Sequence, residues 1–258
     1  MLEPVLTGGN KVSDRPEQLL ERWVVARSGE AAPWVGDQLD LLAQSTAERD
    51  LHIFLGLAPR RLGKADLALS DDDVAAADQA LPGWQPSDWS IDGAARVLGL
   101  LRFRGARRFA EIYKDLRRTS DAAEMIALYR GLPLYPDPET MEFEVGEGLR
   151  SNLKPVFEAI VHRNPFARDN FDQHRWNHMI LKALFIDVEL APIVGLRQRA
   201  NPELARILVD FAKERWAAGR PLAAEHWIPV APFRHDPAIR GELDQAIAEG
   251  RLSEEMLQ

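Results

Sequence analysis

Six polar residues between positions 177 and 215 have the side chains needed to bind a small anionic ligand. They are Asn177, His178, Lys182, Arg206, Asp210 and Arg215. Amide, ammonium and guanidinium groups donate hydrogen bonds to a carboxylate or a phosphate, and Asp210 would orient the arginines. We therefore expect a polar ligand-binding pocket between two central helices. Buried arginine and aspartate residues also pair without any ligand, so an internal ion network is the alternative.

Histidine and acidic pairs in the same region could instead bind a divalent metal. His174 and His178 are four residues apart, as are Asp210 and Glu214. Two such pairs on facing helices can complete one site. Lys182 follows His178 by four residues, and its ammonium would repel a cation. We expect no bound metal and no cofactor, and the sequence identifies no catalytic residue.

Two helices should position these side chains. A capping box of Asn170 and Gln173 predicts the start of the first helix, which should run to about Val188. Its apolar residues spread over nearly the full circumference, so we expect a central helix that is largely buried. Asn201, followed by a proline, predicts the start of the second helix, which should end at Gly219.

Arg215 projects onto the apolar face of the second predicted helix. A guanidinium cannot readily lose its charge, so it should be paired when it is buried. We expect a carboxylate partner for Arg215, with Asp210, Glu214 and Asp187 as the candidates.

The whole chain favours an all-α fold. No long segment alternates apolar and polar residues, so strands have little support. Asp14 with Glu17, Ser70 before an aspartate run, and Asp121 with Glu124 each predict the start of a helix. Short joins between helices predict antiparallel hairpins, stacked either as a solenoid-like array or as an irregular helical bundle.

Proline-rich loops suggest how the 258 residues are organised. We expect a single all-helical domain with an N-terminal half (1–130) and a C-terminal half (147–258), joined by a proline-rich connector near 131–146. A second irregular loop carries Trp84 and Trp89. These aromatic side chains should anchor that loop to the core, and a flap over a pocket is the alternative.

The composition excludes several classes of protein. The formal net charge of −8 repels phosphate backbones, so no nucleic-acid partner is expected. The absence of cysteine excludes disulfides and thiol nucleophiles. Lys182, Asp187 and Glu189 interrupt the longest apolar region, and charges at bilayer depth are costly. The first ten residues carry no export-signal pattern. We therefore expect a cytoplasmic protein that does not span a membrane.

Several sequence segments carry motifs that are weak one by one but specific in combination. They are Gln173–Phe185, Arg199–Ala212, Glu214–Pro221 with Trp227 and Pro232–Phe233, and Leu55–Leu67. In combination they resemble the EboA family, named for a bacterial and algal gene cluster. The resemblance implies an accessory role in processing secondary-metabolite precursors or moving them across the inner membrane. It assigns no reaction and no residue roles.

The sequence therefore predicts an accessory or binding protein in a pathway of secondary-metabolite precursor processing or translocation. The expected ligand is a small anionic metabolite, and the expected protein partners are products of the same gene cluster. One alternative is a metal-dependent enzyme that uses the two pairs described above. Another is a protein-interaction scaffold that presents a concave helical surface and binds no ligand.

Overall fold

The computed structural model describes residues 14–257, which contain thirteen α-helices and no sheet, so the predicted all-α fold is confirmed. The helices are α1 (Pro16–Arg27), α2 (Ala32–Gln44), α3 (Glu48–Leu62), α4 (Asp71–Ala80), α5 (Ile91–Arg102), α6 (Phe109–Thr119), α7 (Ala122–Arg130), α8 (Glu142–Arg150), α9 (Lys154–Val161), α10 (Phe166–Asn170), α11 (Gln173–Phe185), α12 (Pro202–Ala217) and α13 (Arg240–Ala248). In that range, none of them has the length and apolar composition needed to cross a bilayer. The initial segment, in which no export signal was found, lies outside the described residues.

Contacts divide the chain into two compact units, Met1–Ala106 and Arg107–Gln258. The proline-rich segment 131–146 lies inside the second unit, where it forms two short 3-10 helices. A single domain with its connector at that segment stays a prediction.

The first unit is organised around α5, against which α1, α2 and α3 pack. Most residues of α5 are buried, including the ion pair of Arg96 with Asp92, whose N–O distance is 3.2 Å. Gly99 permits the close approach of α5 and α3. A Cβ atom at that position would lie 2.3 Å from a ring carbon of Phe54. The missing side chain therefore sets the spacing of these two helices.

The irregular loop before α5 is anchored by its tryptophans, as predicted. Trp84 and Trp89 are both buried, and their ring centroids are 6.1 Å apart. Trp84 also packs against Trp23 of α1, at 5.8 Å. Both side chains belong to the core of the first unit, which leaves neither available as a flap.

The second unit is organised around α9, against which α7, α8 and α10 pack. A cluster of three tyrosines covers one side of this core: Tyr113, Tyr129 and Tyr135. Burial raises the pKa of the Tyr113 hydroxyl well above its ordinary value. Nearby, Arg117 of α6 donates to the buried carboxylate of Glu144 in α8.

Capping residues explain where several helices begin. Ser70 accepts a hydrogen bond from the Asp73 amide, and Asp121 with Glu124 forms a complete capping box, as predicted. The predicted box of Asp14 and Glu17 is wrong by one residue, because Arg15 is the N-cap and Gln18 accepts from its amide. The side chain of Asp14 instead accepts from Arg22.

The predicted start of α11 is also displaced. Asp172 is its N-cap, accepting from the Arg175 amide at 2.7 Å, whereas Asn170 ends α10 and donates to the Phe166 carbonyl. The helix stops at Phe185, three residues before the predicted end.

The prediction that this helix is largely buried is wrong, because one side of it is open to solvent. Trp176, Met179 and Ile180 are buried, but His174, His178 and Phe185 are exposed along the opposite side, and Phe185 is 65% exposed. A helix wheel counts apolar residues but does not show which of them have a packing partner. The helices that are buried around most of their circumference are α5 and α9.

Candidate functional site

A cavity of about 250 Å³ opens in the second unit between the end of α11, the last turns of α12 and the segment 221–226. Its apolar lining consists of Leu184, Val188, Phe211, Pro221, Leu222 and Ala223. Its polar lining consists of Asp187, Glu189, Arg215, Glu225 and His226. Apolar walls with a few convergent polar groups are typical of small-molecule sites.

The end of α11 places the acidic side of the cavity. After Phe185 the chain turns through Asp187, which has a left-handed backbone with φ of +54°. The Val188 amide donates to the Ala183 carbonyl at 2.8 Å, which is the closing hydrogen bond of a Schellman-type helix end. The turn places Asp187 and Glu189 at the cavity with exposed side chains.

The last turns of α12 supply the basic side. Phe211 and Arg215 are four residues apart and therefore lie on the same face of the helix. The helix ends where predicted, since Gly219 has φ of +68° and the Arg220 amide donates to the Arg215 carbonyl at 2.9 Å. The reversed chain brings the Pro221 carbonyl to 3.3 Å from Nη2 of Arg215.

Glu225 connects the two walls of the cavity. Its carboxylate accepts the Leu190 amide at 2.7 Å and the Ala191 amide at 3.0 Å. Glu225 belongs to a short 3-10 helix, Ala224–Trp227, so these bonds join that helix to the segment after α11. Charged acceptors form the stronger class of hydrogen bond. This carboxylate is therefore engaged in holding the cavity together.

His226 is a buried, neutral member of the lining. Its Nε2 lies 2.9 Å from the Leu208 carbonyl, which can only accept, so Nε2 carries the proton and Nδ1 has the lone pair. Burial lowers the pKa of His226 to about 4, and the nearby charge of Arg215 acts in the same direction. The ring stacks on Phe211 at 5.9 Å.

Two polar atoms of this lining have no hydrogen-bond partner within the described residues. They are Nε of Arg215, a donor, and Nδ1 of His226, an acceptor, and both are buried. Buried polar groups are nearly always paired, and an unpaired one costs roughly 1 to 3 kcal/mol. A ligand that accepts from one and donates to the other would satisfy both.

The predicted carboxylate partner of Arg215 is wrong. Across residues 14–257, Arg215 forms no ion pair, and Asp210 is instead 3.2 Å from Nζ of Lys213. Asp210 and Glu214 precede Arg215 by five residues and by one, and neither spacing places two side chains on the same helix face. Asp187 shares the cavity with Arg215 without pairing with it.

Of the six predicted ligand-binding residues, only Arg215 lines this cavity. Asn177 is buried and exchanges hydrogen bonds with Asn201, the N-cap of α12, so it joins α11 to α12. His178 is exposed, with its ring centroid 4.2 Å from that of His174. Ligand binding at the positions away from the cavity stays a prediction.

The three other predicted positions have local partners. Lys182 donates to the Leu149 and Ser151 carbonyls at the end of α8, and burial lowers its pKa. Arg206 is exposed and donates from Nε to the Pro202 carbonyl at 3.2 Å. Asp210 is exposed and pairs with Lys213, as described above.

The metal-site alternative requires His174 and His178 to converge with Asp210 and Glu214. Within the described part of the chain, no group of three or more histidine, aspartate or glutamate side chains could hold a metal ion. The four residues therefore do not form one site. The geometry gives no support to an enzyme built on these two pairs.

His226, Glu225 and Leu222 also line the site, although no sequence pattern pointed to them. His226 reaches its partner Leu208 across 18 residues, and Glu225 reaches Leu190 across 35. No local spacing predicts contacts of that separation. The one available signal was a lone histidine in an apolar segment, which is more often a core residue.

A second cavity, of about 230 Å³, lies further along the chain. Its polar lining includes Arg234, which is within 3.0 Å of His235, and Arg240, which is 3.5 Å from Asp244. None of its described side-chain atoms is both buried and unpaired. It thus has less need of a ligand than the first cavity.

Comparison with known protein families identifies the family of this chain. The model of a family described as "Metabolite traffic protein EboA" matches residues 16–231, which is most of the chain. Every residue that lines the first cavity lies within the match, whereas every residue that lines the second lies beyond it. Searches of curated proteins and of solved structures found no significant match.

Proposed function

Because the chain belongs to the EboA family of metabolite traffic proteins, we propose that it is an accessory protein that binds a small metabolite in the cavity between α11, α12 and segment 221–226. The metabolite is a secondary-metabolite precursor that is being processed or translocated. The protein acts in the cytoplasm, beside other products of the same gene cluster, and performs no chemistry of its own on the ligand.

One observation carries the proposal. Nε of Arg215 is a buried cationic donor with no partner in the described residues, and it belongs to a residue that lines an apolar cavity. A half-buried guanidinium retains its charge, so an anionic or hydrogen-bond-accepting group of the ligand is its natural partner. The apolar lining then takes the remainder of the molecule, which fits a metabolite with one polar end.

The test compares Arg215→Met with Arg206→Met in protein purified from its own host. Arg206 is on the same helix but is exposed and outside the cavity, so it is the matched control. Small molecules are extracted from each purified protein and identified by mass spectrometry. We expect one compound enriched with the wild type and with Arg206→Met, and depleted about 10-fold or more with Arg215→Met, since removing one partner of a buried charged contact costs about 2 kcal/mol or more.

Three outcomes would count against the proposal. A compound that remains with Arg215→Met, or that is lost with Arg206→Met, would place binding outside this cavity. A wild-type protein that retains no enriched compound would argue against a carrier role. Circular dichroism of each variant checks that the fold is retained.

A further inference from the structure

The cavity holds opposite charges that do not pair with one another. Asp187 and Glu189 at the end of α11 have exposed side chains with no hydrogen bond or ion pair among residues 14–257. In those two residues only backbone groups are engaged: the Asp187 carbonyl accepts from Lys154, the Glu189 carbonyl contacts His162, and the Asp187 amide donates to the Leu184 carbonyl at 3.4 Å. Arg215 on the other wall also lacks a carboxylate. The third acidic residue, Glu225, is occupied by two backbone amides.

Asp187 occupies a backbone conformation that an aspartate adopts at some cost. Its φ of +54° is in the left-handed region, where glycine is the usual residue at the end of a helix. No described contact of its side chain offsets that cost. The carboxylate is therefore free to face a ligand.

These charges also argue against a ligand that is only anionic. The carboxylate of an anionic ligand would be attracted by Arg215 but repelled by Asp187 and Glu189. A ligand that carries a cation beside its anion gains from both walls. Like-charge repulsion would then exclude simple anions, which is a means of specificity.

We propose that the cavity binds a zwitterion of the α-amino acid class with an apolar side chain. The ligand carboxylate is bound by Arg215, its ammonium by Asp187, and its side chain packs against Leu184, Val188 and Phe211. The unpaired Nδ1 of His226 is a further acceptor on the same lining. The inference rests on the proposed function, because it names the ligand class of the same cavity.

The first experiment measures binding to the full chain by isothermal titration calorimetry. The probes are the common α-amino acids, including L-phenylalanine and L-leucine, together with phenylpropionate, which lacks the amine, and phenethylamine, which lacks the carboxylate. We expect at least one apolar amino acid to bind about 10-fold or more tightly than either single-charge analogue, because a close charge pair contributes about 1.5 kcal/mol or more.

The outcomes separate this inference from the proposed function. If phenylpropionate binds as tightly as phenylalanine, the zwitterion inference fails, while a site for anions remains. The inference also fails if none of the amino acids binds with a Kd of about 1 mM or below. The compound retained by the purified protein decides the proposed function independently.

The second experiment assigns the roles of the two walls. Asp187→Asn keeps the size and tolerates the left-handed backbone but removes the charge, so the preference for amino acid over phenylpropionate should fall about 10-fold. Arg215→Met should weaken binding of both probes. Asp72→Asn, at an exposed position outside the cavity, is the matched control and should change neither. An unchanged preference in Asp187→Asn would overturn the inference.

A further variant tests whether Asp187 is needed for folding. Asp187→Gly removes the side chain and suits the left-handed backbone, so the melting temperature should stay the same or rise. Loss of amino acid preference in this variant, with the fold retained, supports a binding role. A lower melting temperature would show that the carboxylate is structural and would count against the inference.

Discussion

At the scale of single residues, His226 shows how burial decides the state of a titratable group. Its ring lies between Phe211 and Trp227, at 5.9 Å and 4.8 Å, and its exposed fraction is 1%. A charged imidazolium would lose its hydration there, so the neutral form is favoured. The hydrogen bond to the Leu208 carbonyl favours the proton but does not compensate for the burial.

The stability of the protein should therefore fall on mild acidification. The pKa of His226 is lowered from 6.5 to about 4 on folding, so the unfolded chain binds the proton more readily between these values. The contribution of neutral His226 to the free energy of unfolding is fully present above pH 6.5 and is lost as the pH falls towards 4. At about pH 5 we expect a loss of about 2 kcal/mol relative to neutral pH. Urea denaturation at both pH values measures it.

The variant His226→Gln isolates this effect, because its amide can still donate to Leu208 but does not titrate. The difference between wild type and His226→Gln should shrink or reverse at about pH 5. His174→Gln, at an exposed position, is the matched control and should retain the wild-type difference between the two pH values. Equal pH dependence in wild type and His226→Gln would contradict the prediction.

At the scale of secondary structure, α11 shows how far the apolar pattern of a helix predicts which of its side chains are buried. One side of this helix holds Trp176 and Ile180, each with an exposed fraction of 0%, whereas Phe185 is 65% exposed on the other side. The loss of stability on truncation to alanine should differ between the two sides, because it depends on how well the side chain is buried and packed.

We predict that Ile180→Ala lowers the free energy of unfolding by about 2 to 5 kcal/mol, the usual range for a buried aliphatic side chain. Phe185→Ala should cost below about 1 kcal/mol, since it loses mainly an edge contact with Phe211 at 5.3 Å. Chemical denaturation of both variants measures the difference. Equal costs would mean that the exposed side of α11 is covered in solution.

The starts and stops of helices were predictable where a short side chain caps its own helix. Ser70, Asp121 and Asn201 each bond an amide three residues ahead, so the local sequence contains both partners. The cavity was not predictable by that means. Its walls come from three segments, and the bonds of Glu225 to Leu190 and of His226 to Leu208 join residues far apart in the chain.

Arg215 illustrates the same limit at the site. Its apolar face and its need for a partner could be inferred from the sequence, and it does line the cavity. The identity of that partner could not be inferred, because the direction of the side chain depends on the reversal at Gly219 that brings Pro221 alongside. The carboxylates that lie near Arg215 in the sequence were therefore the wrong partners.

At the scale of the whole molecule, the all-α class follows from composition and caps, whereas the division of the chain does not. The boundary of the two compact units falls after Ala106, in the non-helical segment between α5 and α6. This segment carries no proline. The predicted connector near 131–146 is instead proline-rich, and its short 3-10 helices carry buried residues, among them Leu132 and Met141.

We predict that the first internal cleavage by proteinase K under native conditions falls within 104–108. Arg104, Arg107 and Arg108 are exposed there and outside any helix, and such segments are the preferred sites of proteolytic nicking. Mass spectrometry of the early fragments identifies the site. A first cleavage within 131–146 would favour the division into halves that the sequence suggested.

The two hydrogen bonds of Glu225 have a consequence for the rate at which the walls of the cavity separate. The single carboxylate of Glu225 accepts from two adjacent amides, and these bonds join the wall at 188–191 to the wall at 221–226. If one bond breaks while the walls separate, the other is strained. We expect the two bonds to break together when the walls separate. A ligand that can leave only through that opening should dissociate no faster than the opening itself, whatever its equilibrium affinity.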